Sequence, residues 1–156
     1  PAYKDKDYGF EIGKAVKMRD GKDLTIIACG VGVLQAMRAA DVLEKQGLSA
    51  RVINMHTVKP IDRDIIMEAV KDTRRIITVE EHNIMGGLGS AVAEVIIESG
   101  KACAFKKLGI PDIYAIVGYP EDLYHYYKID ADGIVEAATE LMGKEIEEDE
   151  DWEDET

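Results

Sequence analysis

A chain of 156 residues, 46% hydrophobic and 32% charged, has the length and balance of one globular domain that can bury a core without staples. No apolar run is long enough to cross a bilayer, and no basic segment followed by an apolar stretch opens the chain, so a membrane role is not expected. The formal net charge of −12 is concentrated in Lys144–Thr156, which holds nine acids against one base, and the body has no basic stripe to engage a phosphate backbone; nucleic acid is not expected as a partner.

The stretch Phe10–Met18 is expected to form an edge strand, with a hairpin or extended arm as the alternatives. Apolar, β-rich runs then recur at Leu24–Cys29, Arg51–Met55, Arg75–Val79 and Ala104–Leu108, with helical spacing between them, which is the signature of βαβ units. The first and third runs are nearly continuous in apolar character and predict central strands covered on both faces. After the first, Gly30-Val31-Gly32 turns into a helix carrying Val33, Leu34, Met37, Ala40 and Leu43 and ending at Gly47. A second helix is predicted from Asp62, its N-cap, to Val70; a third starts near Gly89 or Ser90; a last runs from Asp130 to Met142. The expected fold is a three-layer α/β/α domain over 1–143 with a mostly parallel mixed sheet of about five strands. Residues 144–156 are expected to be a disordered acidic tail in which Trp152 is a tolerated aromatic.

Few residues suggest chemistry. As a dinucleotide site Gly30-Val31-Gly32 fails, because Gln35 stands where the third glycine should be, and Ile53, Asn54 and Met55 occupy the place of the ribose-binding acid. His56, His82 and His125 have no metal-ligand spacing, so no metal site is expected. Cys29 and Cys103 read as inert, reduced thiols of a cytoplasmic protein. The most informative segment is Val79–Ser90. Glu80 and Glu81 are adjacent on a strand end, point to opposite sides, and cannot form an acid/base pair. Glu81, His82, Gly86, Gly87, Gly89 and Ser90 form a candidate subunit-contact or anion site, because the glycines allow close approach and the helix start offers N–H donors. A structural turn with a subunit-contact surface is the commoner use of such a segment, and a ligand site the less common.

Several segments, in order, resemble the third domain of transketolases. They are Phe10-Glu11-Ile12-Gly13-Lys14-Ala15, Leu24–Gly30 followed by Ala36, Ala39 and Ala40, Asn54–Asp62, Glu80–Asn83 with Gly86–Val92, and Gly109-Ile110-Pro111-Asp112. Related domains close the beta subunits of 2-oxo acid dehydrogenases and the deoxyxylulose-phosphate synthases, and these are the alternative readings, together with an anion-sensing module. Asn54-Met55-His56-Thr57 and Glu80-Glu81-His82 favour transketolase, in particular one encoded as two polypeptides. The resemblance implies an enzyme of the pentose phosphate pathway that moves two-carbon ketol units between sugar phosphates with thiamine diphosphate and Mg2+. In that family the cofactor is held by other domains. No catalytic or cofactor-binding residue is therefore expected here, and the implied partners are the preceding thiamine-binding domains or subunit, in a homodimer or hetero-oligomer. The apolar run Ile113-Tyr114-Ala115-Ile116-Val117 departs from the family pattern, and a partner is expected to cover it.

Overall fold

The computed structural model describes residues 9–146; Trp152 and most of the acidic tail lie outside them. Five strands form one sheet in the order β1-β3-β2-β4-β5. They are β1 (Val16–Arg19), β2 (Leu24–Ala28), β3 (Ala50–Asn54), β4 (Arg75–Asn83) and β5 (Ala104–Ile110). β2, β3, β4 and β5 pair in parallel, whereas β1 runs antiparallel to β3 at one edge, so the expected edge strand exists but overlaps only the end of Phe10–Met18 and runs on to Arg19.

The helices are α1 (Gly32–Lys45), α2 (Arg63–Thr73), α3 (Leu88–Ser99), α4 (Pro120–Tyr126) and α5 (Ala131–Met142). Alternate residues of each strand face opposite layers. Leu24, Ile26, Val52, Ile77 and Val79 pack with Ala36, Ala40, Leu43, Ile134 and Leu141 of α1 and α5. Ile27, Ile53 and Ile76 pack with Ile66, Val70, Val92 and Val95 of α2 and α3. This is the expected three-layer domain, with the continuous apolar strands β2 and β4 at its centre.

Local chemistry sets the ends. Asp62 is the N-cap of α2, its Oδ1 accepting from Ile65 N at 3.4 Å, and its Oδ2 also accepts from Ala15 N at 2.9 Å, which ties the segment leading into β1 to the start of α2. Asp130 caps α5 by accepting from Gly133 N at 2.9 Å. Three differences from the sequence reading bear on the site. β4 continues through Glu80, Glu81, His82 and Asn83, because Asn83 finds a register partner in Ile110 of β5 beyond an irregularity. α3 begins at Leu88, one residue ahead of the predicted start. α4 has no counterpart in the sequence reading; none of its residues is buried, so there is no apolar stripe to announce it.

Candidate functional site

The informative segment becomes the C-terminal end of β4 and the loop into α3. Period-two alternation sends the side chains of Ile76, Thr78 and Glu80 towards α3 and those of Val79 and Glu81 towards the opposite layer, where Val79 packs with α1 and α5 and Glu81 meets α4. Glu80, only 2% exposed, therefore ends beneath the first turn of α3, where its Oε2 accepts from Leu88 N at 2.6 Å and its Oε1 from Gly89 N at 2.9 Å. Those amides lack partners within the helix, and the positive end of the helix dipole favours a carboxylate there. Glu81 is exposed and accepts a hydrogen bond from the hydroxyl of Tyr124 on α4, which holds the phenol's pKa above its ordinary value.

The loop between them is wired internally. Asn83 Oδ1 accepts from Met85 N at 2.8 Å, Ser90 Oγ accepts from Gly86 N at 2.9 Å, and Lys107 Nζ donates to the Ile84 carbonyl at 2.9 Å. Gly86 has φ +77°, the left-handed region that glycine adopts without strain. Gly87 is needed for space: a Cβ there would stand 2.0 Å from Glu80 Oε2 and 2.8 Å from His82 Nδ1. His82 is exposed and bonds the carbonyl of Asn83 at 2.8 Å, remaining 3.9 Å from Glu80. Of the candidate residues, Gly87 and Gly89 are thus brought against Glu80, Gly86 and Ser90 bond to each other in the loop beside it, and Glu81 is turned away to Tyr124. Glu80, Asn83, Lys107 and Tyr124 were not among the candidate site residues, although Glu80 and Asn83 stood in the family-like segment Glu80–Asn83. Strand parity carried the signal for Glu80, because a residue in register with buried Ile76 and Thr78 points inwards.

Among the described residues, other groups show no catalytic arrangement. Burial, then the charges of Glu80 and Glu81, pushes the Cys29 thiol up to about 11; burial does the same for Cys103. Both are free and far from the thiolate state a nucleophile requires. His125, Asp130 and Asp132 bring potential metal-ligand atoms within 4.8 Å of one another, a trio that sequence spacing did not reveal. Asp130 is already bonded to His125 Nδ1 at 2.8 Å and to the amide of Gly133, which makes the trio a helix cap with an ion pair built on it. Among the described residues, the first amides of α1 are spent on the carbonyls of Cys29, Gly30 and Val31, and the amides of Leu88 and Gly89 at the start of α3 on Glu80, so these donors are not free for a phosphate group.

What the site does offer is surface. From Ile113 to Tyr119 the chain is apolar and exposed, with Tyr114 and Val117 fully accessible, and its contacts to the body include a hydrogen bond from Ile116 N to the Tyr127 hydroxyl at 3.0 Å. Isolated monomers seldom leave such a run open.

The chain is thus an α/β domain whose sheet end is filled by its own carboxylate, beside an open apolar arm. The chain belongs to the transketolase C-terminal domain family, whose model matches residues 13–134. It is 45% identical over 136 residues to a protein of Methanocaldococcus jannaschii named as a transketolase C-terminal section, covering 87% of this chain and 42% of that protein. It is 40% identical to one of the subunits of the apulose-4-phosphate transketolase of Phocaeicola vulgatus, covering 91% of this chain and 45% of that one. A 1-deoxy-D-xylulose-5-phosphate synthase of Halothermothrix orenii is 41% identical over 145 residues, which cover 92% of this chain and 23% of the synthase. A solved structure described as a split-gene transketolase in an inactive beta4 tetramer superposes with a TM-score of 0.80 at 38% identity, over 85% of this chain and 43% of that chain. The chain thus spans less than half the length of each of these relatives.

Proposed function

We propose that the chain is the docking domain of a transketolase, an enzyme that transfers two-carbon ketol units between sugar phosphates with thiamine diphosphate and Mg2+ held by its other domains. The observation that carries this reading is the exposed apolar run Ile113–Tyr119 at the same sheet end where the helix donors are already satisfied by Glu80. That end has surface to bury, and the amides of Leu88 and Gly89 that open α3 are already taken. Within this reading Glu80, Gly87 and Ser90 shape the sheet end, α4 and the arm before it make contact with the thiamine-binding polypeptide, and the chain contributes to a dimer or hetero-oligomer. Transketolase is favoured over deoxyxylulose-phosphate synthase because the matching relatives of split form are transketolase sections and subunits. A cytoplasmic setting accords with the two free thiols.

The test is association. The polypeptide carrying the thiamine-binding domains of the same enzyme is mixed with this chain and run on a sizing column. Co-elution is expected, and it is lost in the Tyr114→Ser/Val117→Ser variant while the melting temperature stays unchanged. Undiminished co-elution of that variant contradicts the reading.

A further inference from the structure

Beside the apolar arm, α1, α4 and the start of α5 enclose a groove of about 440 Å³ whose apolar lining is Val31, Leu34, Tyr124 and Ala131. Val31, the N-cap of α1, and Leu34, in its first turn, are 42% and 38% exposed although the opposite face of that helix is buried. The rim carries Glu121, Asp130 and Asp132 against one cation, Arg38. Asp130 is engaged by His125 and by the first turn of α5, which leaves Glu121, Asp132 and the single cation Arg38 as the rim's outward-facing charges, with acid in excess. Asp122, exposed, follows directly in the first turn of α4.

We propose that this groove receives a cationic, apolar-tipped segment of the thiamine-binding polypeptide, with an apolar side chain on Val31, Leu34 and Tyr124 and Lys or Arg side chains against Glu121 and Asp132. The inference rests on the docking reading above and adds the chemistry of the partner. Charge complementarity selects the occupant. A second copy of this chain packed by the same face about a two-fold axis would bring a rim with two outward acids and one arginine against its own copy, leaving acids in excess on both sides, and like charges juxtaposed across an interface are costly. Residues 1–143, which carry the groove, hold 22 acids against 18 bases, a net −4 that adds modestly to that repulsion and favours a basic partner. An apolar centre with a charged rim is also the usual anatomy of a specific interface, the centre supplying affinity and the rim supplying encounter rate and orientation.

The experiment measures association of the full chain with the thiamine-binding polypeptide by titration calorimetry, at low and at high ionic strength. Three proteins are compared: the natural chain, Glu121→Gln/Asp132→Asn, and Tyr114→Ser/Val117→Ser. The rim variant is expected to bind about tenfold more weakly in dilute salt and to match the natural chain in concentrated salt, where rim charges are screened. Sedimentation of the natural chain alone should show no association that either double variant abolishes. Equal binding of the rim variant at low salt, or tighter binding, overturns the inference. So does self-association of the natural chain that the rim variant removes or strengthens, because the groove is then filled by a second copy. If the arm variant binds as the natural chain does, the docking reading itself has failed; if the arm variant loses binding and the rim variant does not, only the charge complement has.

Discussion

The carboxylate of Glu80 meets two backbone donors that nothing else in the sheet end reaches, so its removal leaves buried amides of Leu88 and Gly89 without acceptors. Glu80→Ala is expected to destabilise the fold by about 3 kcal/mol in urea unfolding, the cost of two charge-assisted bonds in a buried place. Glu80→Gln, which keeps one acceptor, should lose less. Gly87→Ala should cost about 2 kcal/mol, because its new methyl group would overlap Glu80 and neither the strand end nor the helix start can retreat cheaply. His125 gives a pH signature. Its hydrogen bond to Asp130 raises its pKa above 6.5, so the folded state holds the proton more tightly than the unfolded one. The stability contributed by the pair is complete below pH 6.5 and is lost as pH rises through the raised value. His125→Ala should flatten that portion of a stability–pH curve, and a proton NMR titration of His125 should show the upward shift directly.

Among the elements, α2 shows how one side chain can serve two. Asp62 caps the helix and holds the amide of Ala15, so Asp62→Ala should cost about 1.5 kcal/mol and speed hydrogen exchange at Ala15, with little change at β5. That cap was legible in the sequence, as were the four parallel strands, because apolar runs of strand length between helical stripes admit few arrangements. α4 was not, since a seven-residue helix with no buried position has no periodic stripe to read. The end of β4 was also obscured. Glu80-Glu81-His82-Asn83 has the composition of a loop, and only its pairing with β5 beyond the irregularity makes it strand. The site suffered from the same effect. Glycines and a helix start signalled a place where an anion would fit, but the carboxylate that fills it sits too far back along the strand for spacing to mark it as a cap.

At the scale of the whole molecule, two faces contrast. The sheet end at β4 and α3 is closed upon itself, while the arm Ile113–Tyr119 and the α1–α4 groove stay open, apolar in the centre and acidic at the rim. Replacing exposed residues of the arm should leave thermal stability unaltered, since they contribute little to either core cluster, and should act on assembly alone. Such a division fits a chain that spans less than half of its relatives' length and matches them over almost all of its own. The most direct test of this account is to titrate the purified chain with thiamine diphosphate and Mg2+ and to assay it for ketol transfer, alone and joined to its preceding domain in the presence of the thiamine-binding polypeptide. The account predicts no cofactor binding and no turnover alone, with turnover in the joined and mixed sample; saturable thiamine diphosphate binding or ketol transfer by this chain alone would contradict it.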